Sequence, residues 1–241
     1  MSLVSRDTAG AGNWNAAGRA VVFLLAATSI ACLLLDFYGW CSMRAFARFV
    51  FLPSLLALLG LAVFDRVRSN GSLWRGVMIG LTGGLLAAVA YDVLRLPFAF
   101  AREWGLAGLL PPMNLFKVFP RFGAMILGQS IEQGSYSLPA QLIGWLYHFS
   151  NGATFGVMYL SMIGDSARRH WAWAVLMAVG LELGMLLTPY PQVFHIPVTP
   201  RFIVVTAAAH AIFGVVLGLS VRWLAHIRRK PDLTSGRLKR W

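Results

Sequence analysis

Residues 76–96 read GVMIGLTGGLLAAVAYDVLRL, and this stretch decides the fold. No charge falls between Arg75 and Asp92. A helical membrane crossing needs about 20 predominantly apolar residues, and the run meets that length. It ends in Tyr91, Asp92 and Arg95, which share a helix face because Arg95 is three residues from Asp92 and four from Tyr91. Five further apolar runs flank it: Ala20–Trp40, Phe46–Phe64, Pro139–Ile163, Trp171–Thr188 and Phe202–Leu224. With 76–96 as span 3, the pattern predicts an all-α, polytopic integral membrane protein of about six transmembrane helices. The breaks hold Pro, Gly and charge, as at Asp65, Arg66 and Arg68 or at Asp165, Arg168 and Arg169.

Composition points the same way. The 241 residues are 58% hydrophobic and 12% charged, whereas ordinary soluble domains carry about 25% charged residues. We expect a single transmembrane domain over 1–227 and a basic cytoplasmic tail over 228–241, with no room for a sizeable soluble domain. The first run continues through Leu33–Leu35 to Trp40, longer than the apolar core of a cleaved leader, and reads as a span. The net charge of +12 carries no basic stripe interleaved with aromatics, so nucleic acid is excluded as a partner. Cys32 and Cys41 on one helix would lie about 13 Å apart at 1.5 Å per residue, too far for a disulfide.

Orientation follows from Lys and Arg. Six spans leave both termini on one side, and that side holds fourteen of the 21 basic residues. The bias puts both termini in the cytoplasm of a multi-pass cell-membrane protein. Half of the fourteen lie in the C-terminal segment, where they also suit anionic lipid headgroups. On the opposite, outer side, residues 97–138 form a long connection rich in Pro and aromatics. Within it Phe119–Ile131 is apolar yet too short to cross, and reads as an interfacial or re-entrant helix between spans 3 and 4. The outer connection before span 6 is ordered by Pro189, Pro191, Pro197 and Pro200, and its His195 reads as solvated. Small residues repeat at Gly76/Gly80/Gly84, Gly152/Gly156, Gly180/Gly184 and Gly214/Gly218, the spacing of close helix seams. Such seams read as packing that holds spans 3 to 6 together, with a homo-oligomer or a membrane-complex partner as the other use of such faces.

The ionisable residues inside the spans are Asp36, Asp92, Arg95, His148, Glu182 and His210, and all lie in the outer half. Charge in hydrocarbon is costly, so such residues face a bundle interior or a wet cavity. At 1.5 Å per residue His148 and His210 lie about 13 Å from the outer ends of spans 4 and 6, Glu182 about 10 Å, and Asp92, Arg95 and Asp36 within about 6 Å. Asp36, Asp92 and Arg95 thus read as a shallow rim, in which Asp92 and Arg95 form an interfacial ion pair and Arg95 snorkels outward. Span 4 carries the densest polar patch, with His148 and Asn151 three apart on one face. Glu182 must be protonated or paired, and His148 and His210 are its candidate partners.

Three functions fit this pattern. The first is a small permease or substrate-binding protein with an outer-half polar site among spans 3 to 6. Its substrate-binding or proton-coupling residues would be His148, Asn151, Glu182, His210, Asp92, Arg95 and Tyr91. The second is an accessory or assembly subunit in which these residues lock helix pairs. The third is an intramembrane metal- or haem-dependent enzyme with His148, Glu182 and His210 as ligands. No phosphate loop, paired-Cys motif or His-Glu-x-x-His occurs. The sequence names no cofactor and no substrate.

Overall fold

A computed structural model describes residues 14–227. The expected basic tail at 228–241, and Arg6 among the orientation charges, lie outside the described residues. The described chain is all-helical: α1 Ala16–Phe37, α2 Met43–Arg68, α3 Ser72–Ala99, α4 Val118–Leu127, α5 Leu138–Ile163, α6 Ala172–Leu186, α7 Tyr190–Val193 and α8 Pro200–Ile227. Four of these, α1, α2, α3 and α8, are long and apolar enough to cross a membrane. The fourth expected span, α5, has 26 residues, but Gln141, His148, Ser150 and Asn151 dilute its apolar run. The fifth, α6, has only 15 residues. At 1.5 Å per residue that is about 22 Å, short of a hydrocarbon core of about 30 Å.

Large aliphatic side chains stand exposed all around the bundle, among them Leu24, Leu56, Leu86, Leu146, Leu176 and Val204. Water-soluble monomers rarely leave such broad apolar surface uncovered. The architecture is that of a membrane protein.

The bundle is organised around α3, which packs on α2, α5 and α8, while α5 also packs on α1 and α4 and α6 packs on α8. The α3–α5 contact runs antiparallel through interlocking glycines. A Cβ at Gly84 would lie 2.1 Å from the Gly152 carbonyl oxygen, and one at Gly156 would lie 2.0 Å from that of Gly80. Gly214 and Gly218 seat α8 on the α6 backbone at Val175 and Trp171 in the same manner. Gly180 and Gly184 do not form the seam expected of them: nothing lies within 4 Å of their Cβ positions. A contact that sequence spacing missed joins Gly123 of α4 to Gly144 of α5, each abutting the other's backbone.

Two ends of the bundle differ. Trp14 and Ile227 mark one end, where Trp14 packs over Gly76 and Arg19 donates to the Ser161 carbonyl at 2.7 Å. The connections α1–α2, α3–α4–α5 and α6–α7–α8 meet at the other, the loop end. There Asp36 acts structurally, since its Oδ2 accepts from the Met43 backbone N–H at 2.5 Å and caps α2. The π-helical turn Ala47–Phe51 follows, ending two residues before Pro53, which has no N–H to continue the ladder. The segment expected as Phe119–Ile131 is helical over Val118–Leu127 and ends at Gly128, whose φ is 71°. Phe119 and Phe122 bury its inner face against α5 and the loop-end core.

Candidate functional site

The site forms where α3, α5, α6 and α8 approach the loop end. Tyr91, Asp92 and Arg95 come from α3, which continues through Pro97 to Ala99. The expected span ends at Leu96, so Asp92 is deeper than the apolar run implies, about 10 Å from the helix end at 1.5 Å per residue. Asp92 and Arg95 are not a rim. They are 9% and 4% exposed, and Arg95 does not reach outward.

Asp92 is the hub of one buried network. Its Oδ2 lies 2.9 Å from His148 Nε2, and its Oδ1 lies 3.4 Å from Arg95 Nη1. The Arg95 Nη2 donates to the Leu115 carbonyl in the α3–α4 connection. Three rings flank its guanidinium: Tyr91 at 4.6 Å, Phe116 at 4.9 Å and Phe119 at 5.4 Å. Phe119 also stacks on His148, with centroids 4.1 Å apart and planes at 24°. The α4 segment is thus the floor on which His148 and Arg95 are held. Arg95 Nε is buried without a hydrogen-bond partner among the described residues.

Glu182 and His210 make a second pair, with Oε2 3.5 Å from Nε2. Thr206 determines how that pair works. The His210 Nδ1 lies 2.9 Å from the Thr206 carbonyl oxygen, and a carbonyl can only accept, so Nδ1 carries a proton. In neutral His210 the Nε2 therefore presents a lone pair to the carboxyl. The contact is favourable only when one proton resides between the two, on Glu182 or on Nε2. Tyr91 lies between the two networks, its ring 4.8 Å from that of His210 and 6.0 Å from that of His148.

These residues surround open volume. An inner chamber of about 140 Å³ is lined by Tyr91, Arg95, His148, Asn151, Glu182 and His210, together with apolar side chains of α1, α4, α5, α6 and α8. The Asn151 Oδ1 on this wall is buried and has no partner among the described residues. A larger vestibule of about 800 Å³ lies against the loops. Tyr91, Arg95, Val118, Glu182 and Tyr190 line both, so they form the neck between chamber and vestibule. Desolvation at this neck raises the Tyr190 hydroxyl above the ordinary phenol range, which keeps it protonated as a donor.

The seven expected site residues therefore converge: six line the chamber, and Asp92 holds His148 and Arg95 from behind. They form two pairs, Asp92 with His148 and Glu182 with His210. Among the described residues no three His, Cys, Asp or Glu side chains group as a metal site. Sequence reasoning missed Phe119, the Leu115 carbonyl, Lys117, Arg121, Tyr190 and Arg201. The signal available for Phe119, Lys117 and Arg121 was the run Phe116–Arg121, basic and aromatic together around Pro120. His195, expected to be solvated, is exposed and meets Glu132 at 3.1 Å, yet it also lines the vestibule. No family model, curated protein or solved structure matches the chain.

Proposed function

We propose that this chain is a multi-pass membrane permease or substrate-binding protein whose ligand enters through the vestibule and is held at the neck and chamber. One observation carries the reading: Arg95, His148, Glu182 and His210, although paired, line open volume, the chamber and the adjoining vestibule. Polar residues that only lock helices are expected to leave no chamber of this kind between them. In this reading α5 and α6 complete a six-helix bundle in the bilayer, both termini are cytoplasmic, and the site lies in the outer half. The single proton of the Glu182–His210 pair is the natural exchangeable group, since ligand entry beside it changes which partner holds it.

The test is a thermal-shift screen of purified protein against a metabolite library, followed by uptake into proteoliposomes for the compounds that stabilise it. Glu182→Gln keeps a neutral hydrogen-bonding group next to His210 and is expected to fold while losing binding or uptake. Unchanged binding and uptake in that variant would remove Glu182 from the function. One feature favours an assembly role as the second reading: Gly180 and Gly184 leave an open small-residue face on α6, beside exposed Leu176 and Leu183. A partner that co-purifies stoichiometrically, together with full function in Glu182→Gln, would favour it.

A further inference from the structure

The geometry points to the ligand class: a small organic anion, its carboxylate or phosphate group received in the vestibule beside Arg95 and a short apolar arm lodged in the chamber. This inference rests on the ligand-binding reading above and adds the chemistry of the ligand to it.

Charge is the first argument. Arg95, Lys117, Arg121 and Arg201 line the vestibule, against the single carboxylate of Glu182. Asp92 neutralises Arg95, which still leaves three cations facing Glu182, whose Oε2 lies 3.5 Å from His210 Nε2. Arg121 is fixed in place by neutral acceptors, the Phe194 carbonyl at 2.6 Å and the Tyr136 hydroxyl at 3.3 Å, so its charge stays uncompensated. Among the described residues no carboxylate pairs with Lys117, Arg121 or Arg201. A recess lined by one sign of charge between low-dielectric walls concentrates the field and draws in counter-ions.

Arg95 is the second, independent argument. It is 4% exposed, it lines both cavities, and its Nε has no partner among the described residues. A guanidinium is a planar fork matched to carboxylate and phosphate oxygens. Its other two nitrogens are held by Asp92 and Leu115, so the head group is oriented before any ligand arrives.

The chamber supplies the third. Behind the neck the wall is mostly apolar, with Phe119, Phe122, Phe155, Leu181 and Phe213. At about 30 Å³ per water-sized group the chamber admits an arm of about five heavy atoms. A cation would meet Arg95 at the neck, and a neutral polar molecule would leave the vestibule charge unanswered. A free solute and an anionic lipid headgroup share the required chemistry.

The experiment titrates the full-length protein, in nanodiscs of zwitterionic lipid, with butanoate, butyl phosphate, butanamide and butylamine, reading thermal shift and calorimetry. Butanoate or butyl phosphate is expected to bind saturably, at least tenfold tighter than the amide and amine. Lys117→Glu and Arg201→Glu, both at exposed positions, are each expected to weaken the anion about tenfold without lowering the ligand-free Tm. Repeating the titration in nanodiscs containing anionic lipid separates the two sources. Unchanged binding identifies a free solute, and competitive loss identifies a lipid headgroup; either outcome supports the anion site. Binding of the amide or amine equal to or tighter than the anions overturns the ligand class and leaves the binding reading standing. So does failure of all four compounds while a library compound binds in a Glu182-dependent way. If no compound of any class binds, both the class and the binding reading fall.

Discussion

Asp92→Asn tests the buried network most directly. Removing one partner of a buried ion pair typically costs about 3–5 kcal/mol, because the remaining charge is left uncompensated. Here the remaining charge is Arg95, 4% exposed. It keeps the Leu115 carbonyl and the rings of Tyr91, Phe116 and Phe119, but it has these in the wild type too and gains nothing from them. An asparagine retains one oxygen, which can accept from Arg95 or from His148 but not from both. The loss should therefore fall at the lower end, about 3 kcal/mol. Arg95→Met behaves differently, because Asp92 keeps its contact with His148 at 2.9 Å. Its cost should be near 2 kcal/mol, that of a hydrogen bond to a charged group. Combining the two substitutions removes both charges, and the double variant should be more stable than Asp92→Asn alone. Reversible unfolding in mixed micelles of rising SDS fraction measures all three. An Asp92→Asn variant within about 0.5 kcal/mol of wild type, the range of ordinary surface changes, would refute the hub role. So would a double variant less stable than the single.

Four other outcomes follow from the geometry. Gly84→Ala forces apart a backbone contact that leaves 2.1 Å for a Cβ, and should cost about 1–3 kcal/mol in the same micelles. Gly60→Ala, in open space, should be neutral or stabilising by up to about 1 kcal/mol, and equal effects at the two sites would undo the seam argument. In ¹⁵N spectra of imidazole-labelled protein, His210 should show a protonated Nδ1 in both wild type and Glu182→Gln; a bare Nδ1 would contradict the Thr206 bond. Asp36→Ala should cost about 1 kcal/mol through the lost α2 cap and leave ligand affinity unchanged, so a fall in affinity would return Asp36 to the site. In a chain with Cys32 and Cys41 changed to Ser, Gly108→Cys should react with an impermeant maleimide on intact cells and Ser69→Cys only after lysis, the reverse pattern overturning the orientation.

Much of the fold and site could be read in the sequence because membrane physics is strict about two things, the length of apolar runs and the burial of charge. The run 76–96 and the runs ending in Phe64 and Leu224 needed nothing further. The shared depth of His148, Glu182 and His210 in their helices permitted contact but did not show it; the structure lines one chamber with all three. Partner choice was legible only in part: His210 was one of two candidates for Glu182, and Asp92 and Arg95 share a helix face. Nothing in the local sequence says that Asp92 turns to His148 of α5, because that depends on the Gly80/Gly84 and Gly152/Gly156 contact that sets the α3–α5 register. Nor could the Phe119–Ile131 run be told from a surface-lying helix, since an apolar face looks the same whether it meets lipid or α5. The Gly123–Gly144 approach decides that, and it is a tertiary event. Asp36 was misleading for a related reason: a carboxylate near a helix end can cap the next helix, and only the position of Met43 shows that it does.

The short α6 accounts for why open volume lies at the loop end. On the proposed six-helix reading its 15 residues reach about 22 Å of a core of about 30 Å, and α7 and the connections on either side of it would complete that wall. Irregular backbone at membrane depth is tolerated only where protein covers it or where it lines a wet cavity. Here Tyr190, Phe194, Ile196 and Pro197 from that segment line the vestibule. Glu182 lies four residues before the end of α6, about 6 Å at 1.5 Å per residue, so the recess reaches its carboxyl without a break in the helix. The cost of charge at this depth is then met twice. Each buried ion has a partner, and the neck that Arg95 and Glu182 share opens towards the vestibule instead of facing lipid. A full-length α6 would carry Glu182 into apolar surroundings, where the carboxyl would have to remain protonated. The short helix, the proline-ordered loops beyond it and the Glu182–His210 pair at the neck are therefore one physical arrangement.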